Sequence, residues 1–217
     1  MKAYNARMQS DLFFSSDIVK LDMPCADVDL YSSWLENKRA TDIFNTLAEE
    51  LAWEQPEIIV AGKKFLIPRL QVWCGDPGAV MRYSGMQFTP QAWHKLVLQL
   101  KEELEDLCTC KFNSALINLY RNGQDSVSWH ADDEVELGPQ PTIASLSLGA
   151  TRTFKFKSRK KTKLTLEEKP RQLVLNNGDL VVMKSDTQKH WLHCVPKCDI
   201  STPRRMNLTF RRIAVMS

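Results

Sequence analysis

The chain contains four histidines, at positions 94, 130, 190 and 193. His130 is followed two residues later by Asp132. On an extended backbone, residues i and i+2 project to the same side, so this imidazole and carboxylate can take neighbouring positions on one metal ion. A histidine from a distant strand would complete a two-histidine, one-carboxylate facial triad. Such a triad leaves three positions open and suits non-haem Fe(II). The bland alternative is a surface turn capped by Asp132. Spacing does not choose between His190 and His193 as the third ligand, because residues three apart face opposite ways on a regular strand.

Further along, period two puts Arg205, Asn207, Thr209 and Arg211 on one strand face and Met206, Leu208 and Phe210 on the other. Two guanidiniums on one face, with polar groups between them, form a carboxylate-binding surface, because arginine grips a carboxylate through two parallel hydrogen bonds. An exposed edge strand would show the same alternation. Asn118 and Tyr120 repeat the design, with Ile117 and Leu119 facing away from them. Polar groups on one face of two otherwise apolar strands predict a lined pocket.

These groups need elements to position them. From Ser114 onward the pattern is strongly β. Strands are predicted over Ala115–Tyr120, Val127–His130, Thr142–Leu148, Thr153–Lys157, Gln172–Leu175, Asp179–Met183, Trp191–Val195 and Met206–Ile213. Turn signals such as Asn122-Gly123 and Asn176-Asn177-Gly178-Asp179 separate several of them. So many short strands in about 100 residues predict a sandwich or jelly roll. Two helices precede it. One is predicted to be capped by Thr41 and Asp42, with Ile43, Phe44, Leu47 and Leu51 at helical spacing, and to end at Gln55-Pro56. The other is predicted to be capped by Thr89, with Pro90 in its first turn and a core stripe of Trp93, Leu96, Val97, Leu100, Leu104 and Leu107. His94 falls in this helix and reads as structural or exposed. The segment between the helices, Glu57 to Phe88, reads as hairpins and loops. The first 37 residues show no clear periodicity.

Composition agrees with a globular chain: 217 residues, 43% apolar, 25% charged and net charge +3. This excludes a disordered, collagen-like or fibrous protein. No apolar run is long enough to span a membrane, and the N-terminus lacks the apolar core of a secretory signal. Six cysteines are few for this length and read as reduced cytosolic thiols, so the expected compartment is the cytosol, or the nucleus in a eukaryote. Of the close pairs, Cys194 and Cys198 alone have a spacing compatible with zinc.

The ordered set Asn118-x-Tyr120, His130-x-Asp132, Leu192-His193-x-Val-Pro196 and Arg205-x-Asn207-Leu-Thr-Phe-Arg211 resembles the AlkB-type Fe(II)- and 2-oxoglutarate-dependent dioxygenases. His130-Ala-Asp-Asp-Glu134 and Asn207-Leu-Thr-Phe-Arg-Arg-Ile213 resemble in particular the double-strand-preferring DNA-repair branch. The likeness covers roughly residues 56 to 213. It implies an α+β fold with a double-stranded β-helix core, in three parts: an N-terminal extension and helix (1–55), a nucleotide-recognition lid (56–88) and the jelly-roll core (89–217). It implies that His130, Asp132 and His193 hold the iron, and that Asn118, Tyr120, Arg205, Thr209 and Arg211 hold 2-oxoglutarate with Asn207 near by. Arg211 is expected at the distal carboxylate and Arg205 at the metal-binding end. Molecular oxygen is the remaining reactant.

The resemblance also implies a substrate. Asp133 and Glu134, extra carboxylates beside a metal site, fit a cationic methylated base such as 1-methyladenine or 3-methylcytosine, although a solvated acidic loop would look the same. Tyr83 is implied as an aromatic lid, with Met81 where the family often has a second aromatic. Val60-Ala61-Gly62 takes the place of the finger that fills the stack when the base is flipped out. The stretch from Arg152 to Arg171 holds nine basic and two acidic residues and reads as a phosphate contact rather than a solvated hairpin. The implied reaction is oxidative demethylation of DNA bases by a monomer, releasing formaldehyde, succinate and carbon dioxide. The same chemistry on RNA, or a nucleic-acid-binding module with a dead metal site, remains open.

Overall fold

A computed structural model describes residues 18–60, 62–83, 86–88, 90–159 and 169–214. Strands β1 (Ile18–Lys20) and β2 (Asp27–Tyr31) precede helix α1 (Asn37–Glu50). A hairpin of β3 (Glu57–Val60) and β4 (Lys63–Leu66) leads into β5 (Leu70–Gly75), and a second hairpin, β6 (Met81–Tyr83) and β7 (Met86–Phe88), leads to α2 (Lys95–Cys108). There follow β8 (Ser114–Tyr120), β9 (Val127–His130), β10 (Ile143–Gly149), β11 (Arg152–Ser158), β12 (Arg171–Leu175), β13 (Leu180–Lys184), the short helix α3 (Thr187–His190), β14 (Trp191–Val195) and β15 (Arg205–Arg211).

The strands form an antiparallel seven-stranded sheet in the order β1-β2-β13-β10-β15-β8-β5 and an antiparallel four-stranded sheet in the order β12-β11-β14-β9. The predicted jelly-roll core is present, and every strand predicted from Ser114 onward appears within one or two residues of its expected bounds. The N-terminal segment, without periodicity in its sequence, nevertheless contributes β1 and β2 to the large sheet. β1 is exposed along its length, so burial imposes little alternation on its sequence.

The large sheet separates two cores. One face packs on the helices: Ala115, Ile117, Leu119, Ala144, Leu146, Leu148, Met206, Leu208 and Phe210 meet Ile43, Phe44 and Leu47 of α1 and Val97, Leu100 and Leu104 of α2. The other face meets the small sheet through Tyr120, Ile143, Val181, Met183, Phe154, Phe156, Trp191 and Val195. Alternation along β8, β10 and β15 therefore sends apolar side chains to the helices and polar ones into the space between the sheets. At Gly149, where β10 turns toward β11, φ is +82° and a Cβ would lie 2.7 Å from the Arg204 carbonyl oxygen, so glycine is required on both counts.

Both helix starts differ from the prediction. α1 begins at Asn37, and its cap is Glu36, whose carboxylate accepts from the Lys38 and Arg39 N–H groups at 2.9 and 3.0 Å. Thr41 instead sits inside the helix, its hydroxyl donating to the Asn37 carbonyl. α2 starts at Lys95 with His94 as cap, the ring accepting from the Leu96 N–H at 3.2 Å while Nε2 lies 2.8 Å from Glu50. Trp93 precedes this helix, Thr89 lies outside the described residues, and Leu107 sits at the margin of the stripe, over a third exposed.

Candidate metal centre and keto-acid berth

His130 ends β9, which pairs with β14 so that His130 and His193 are direct partners in the ladder. Their rings lie 4.2 Å apart between centroids. Asp132, two residues beyond β9, completes the group: its carboxylate oxygens lie 3.8 Å from His130 Nε2 and 3.9 Å from His193 Nε2. One donor atom from each of the three residues falls within 4.8 Å of the others. His190, at the end of α3, is outside this cluster, so His193 is the histidine that converges.

The protonation states suit cation binding. Burial, with His130 adding to it, pushes the His193 pKa down to about 3, so the ring is neutral at pH 7. Burial would raise the Asp132 pKa, but Arg211 and the two imidazoles outweigh it and hold it at about 2. The Nδ1 of His130 lies 2.9 Å from the Ser128 carbonyl oxygen. Only a donor can bond there, so Nδ1 carries a proton and Nε2 is the nitrogen turned toward the cluster. The Asp132 N–H donates to Gln188 Oε1 at 3.0 Å, fixing the loop that carries the carboxylate.

The cluster opens into a cavity of about 230 Å³ walled by Asn118, Tyr120, Ser145, Asn207, Thr209 and Arg211, among others. The ladder explains the grouping: Asn207 is opposite Asn118 on one side and Ser147 on the other, and Arg205 is opposite Tyr120. Asn207 Nδ2 donates to Ser145 Oγ and the Leu146 carbonyl, Thr209 Oγ1 donates to Asn207 Oδ1, and Arg69 Nε donates to Asn118 Oδ1. β15 is thus a central, wholly buried strand and not an exposed edge.

The expected polarity of the two arginines is reversed. Arg211 Nη2 donates to Asp132 Oδ1 at 2.8 Å, so Arg211 stands at the metal end. Arg205 lies at the opposite end of β15, its Nη2 donating to Ser147 Oγ at 2.8 Å. The alternating pattern of β15 reads the same in both directions; only the position of β9 and β14 tells which end meets the metal ligands.

At the cavity mouth, Glu134 lines the wall with Trp129, Ile58 and Arg69. Burial raises the Glu134 pKa. Asp133 is not part of this wall; it pairs with Arg159 at 2.6 Å. Gly62 has open space around it. Ala61, the side chains of Val60, Met81 and Tyr83, and Lys160, Lys161 and Lys163 lie outside the described residues. Sequence reading missed Arg69 and Gln188. Gln188 sits in a helix of four residues, too short for periodicity to register, and no spacing links either residue to its partner.

The donor set fits iron and a keto-diacid. Two imidazoles and an ionised carboxylate are the facial ligand set of non-haem iron. Arg205 Nε and Nη1 and Arg211 Nε are buried with no hydrogen-bond acceptor. Buried guanidinium N–H groups are ordinarily satisfied, so Arg211 in the cavity wall, and Arg205 over the Tyr120 ring that lines the cavity, have donors to spare for a carboxylate.

The sequence matches the 2OG-Fe(II) oxygenase superfamily over residues 27–211. It is 39% identical to the human alpha-ketoglutarate-dependent dioxygenase alkB homolog 3 over 189 residues, covering 85% of this chain and 65% of that protein, so the chain spans just under two thirds of this relative. It is 33% identical to the Arabidopsis thaliana DNA oxidative demethylase ALKBH2, covering 96% of this chain and 70% of that one. The solved structure of OsALKBH1 superposes with a TM-score of 0.63 at 15% identity, covering 90% of this chain and 99% of that one, a likeness of fold. The chain belongs to the 2OG-Fe(II) oxygenase superfamily, in its AlkB-homologue branch.

Proposed function

We propose that this protein is an Fe(II)- and 2-oxoglutarate-dependent dioxygenase that demethylates N-alkylated bases, 1-methyladenine and 3-methylcytosine among them, in DNA. The observation that carries the reading is the convergence of His130, Asp132 and His193 at one end of a cavity whose wall is the polar face of β8 and β15. The relatives' names, a dioxygenase and a DNA oxidative demethylase, support it.

His130, Asp132 and His193 would hold the iron; Arg211, Asn207, Thr209, Asn118, Tyr120 and Arg205 would hold the keto-acid. When bound, iron with 2-oxoglutarate and oxygen supplies the oxidising power to hydroxylate an N-methyl group, yielding succinate and carbon dioxide. The protein's own work is placement. Neutral His193 and anionic Asp132 present lone pairs without first losing a proton. Arg211 orients Asp132 and faces the metal end of the acid. The apolar layer of Phe154, Phe156 and Val195 behind His193 keeps water from that side. At the mouth, the Glu134 carboxyl meets a cationic base better than a neutral one, which favours the damaged base. An N-hydroxymethyl base then releases formaldehyde to restore the normal base.

We assign the lid to the hairpins β3–β4 and β6–β7 within residues 56–88, which stand as separate two-stranded sheets, whereas β5 between them belongs to the large sheet of the core. Val60-Ala61-Gly62 would enter the base stack, and Tyr83, beside Met81, would close on the flipped base. The other parts are the N-terminal extension (1–55) and the jelly-roll core (89–217). Among the described residues, no helix is long and apolar enough to cross a membrane. All six cysteines are free, which supports a reducing compartment, cytosolic or nuclear. We read the protein as a monomer. Product analysis on methylated DNA and RNA oligonucleotides of one sequence, single- and double-stranded, is the test. Formaldehyde and succinate in equal amounts with DNA support the reading. Turnover confined to RNA replaces DNA by RNA, and no product on any strand removes the reading.

A further inference from the structure

At the end of β15 away from the metal ligands, two guanidiniums are buried together. Arg205 is 1% exposed and Arg152 is 2% exposed. Both lie over the Tyr120 ring, at 5.1 and 5.4 Å from its centroid. They come from different sheets: Arg205 is on β15, in register with Tyr120 of β8, and Arg152 opens β11 just after the Gly149 turn. Arg152 donates to three backbone carbonyls, those of Asn122, Asp125 and Pro196. Its Nε, like Nε and Nη1 of Arg205, is buried with no acceptor.

Among the described residues no carboxylate is paired with either cation. Asp125, whose backbone carbonyl accepts from Arg152, has its carboxylate held by Arg121, which reaches it through Nε, Nη2 and the backbone N–H. Burial lowers the Arg205 pKa, and the Arg152 charge adds to that, against Tyr120. Arg152 and Asp125 still attract each other at longer range, but two buried guanidiniums share a carboxylate that Arg121 already occupies. Like charges taken from water with so little compensation are costly, and an anion at Arg205 would relieve them.

We propose that Arg152 is a specificity-determining residue for the keto-acid: with Arg205 it makes the region behind Tyr120, which lines the cavity, doubly cationic, a field that a distal carboxylate at that end neutralises. Arg152 need not touch the acid. It acts through its charge and by holding Tyr120 and the strand ends in place. The inference rests on the reading that the berth takes 2-oxoglutarate.

The test is anaerobic calorimetric titration of the Fe(II)-loaded protein with 2-oxoglutarate and with 2-oxopentanoate, which carries a methyl group where the distal carboxylate would be. Arg152→Gln removes the charge and is expected to cut the preference for 2-oxoglutarate about tenfold, the effect of one nearby charge at a half-screened site. Arg152→Lys keeps the charge and is expected to hold the preference, while its Tm falls because the fork onto three carbonyls is gone. A Gln variant that weakens both acids equally makes Arg152 a structural clamp and overturns the proposal. So does a Lys variant that loses the preference as fully as a glutamine would, which keeps the idea open to refutation even if Arg152→Gln does not fold. A wild-type protein that binds neither acid, or does not distinguish them, removes the underlying reading and this inference with it.

Discussion

Replacing Glu105 by glutamine tests whether a buried ion cluster, remote from the chemistry, holds one end of the site in place. Glu105 lies in the last turn of α2 and is 6% exposed. Its Oε1 accepts from the Phe112 N–H at 2.8 Å and meets Lys101 Nζ at 2.8 Å, and Oε2 meets Lys111 Nζ at 2.8 Å. Burial would raise its pKa, but these partners lower it to about 2 from an ordinary 4.5. The folded value lies below the unfolded one, so the stabilisation is complete well above pH 4.5 and is lost as pH falls toward 2. At about 1.4 kcal/mol per pH unit, the whole effect is about 3 kcal/mol at pH 7. Roughly 1 kcal/mol of it is gone by pH 3.5. The turn it secures matters, because Asn113 donates its N–H to the Arg211 carbonyl and its side chain bonds Ile213, pinning the metal end of β15. Urea unfolding of wild type and Glu105→Gln at pH 7 and pH 3.5 reads the effect. The stability gap between them should narrow by about 1 kcal/mol on acidification. A gap that is the same at both pH values refutes the reasoning.

His130→Ala should abolish succinate and formaldehyde release while shifting Tm little, since this ring is partly exposed at a strand end; activity retained in that variant rules out the ligand set. Gln188→Leu strands the buried Asp132 N–H, at a cost of about 1–3 kcal/mol, and loosens the ligand loop. Metal titration should show affinity about 10–100-fold lower, and unaltered affinity would make Gln188 a packing residue only. Neutralising Lys160, Lys161 and Lys163 together should weaken DNA binding and flatten its salt dependence by about 0.9 in log–log slope for each phosphate that is no longer neutralised; an unchanged slope places the phosphate grip elsewhere.

Much of the fold was legible because burial on one face imposes a period. β8, β10 and β15 were each foreseeable as strands, and in β8 and β15 the apolar alternation also identified the polar face. The site residues followed in part for the same reason: Asn118, Tyr120, Asn207 and Thr209 lie on faces that alternation alone predicts. The edges were less legible. β1 is solvated and α3 is one turn long, so neither leaves a periodic trace. The helix starts escape prediction because an N-cap is defined by which oxygen or nitrogen reaches the free N–H groups. Here Glu36 and the ring of His94 do so, where Thr41 and Thr89 are the favoured residue types.

What the sequence determined by itself, then, is local: the residue types able to bind a metal and a diacid, and the strand faces that carry them. Which end of β15 meets the metal ligands, which of His190 and His193 completes them, and which buried arginine stands behind Tyr120 were decided by tertiary structure. The physical reason is that period two specifies a face but neither a direction nor a neighbour. Those come only from the pairing of β9 with β14 and from the packing of the small sheet against the large one.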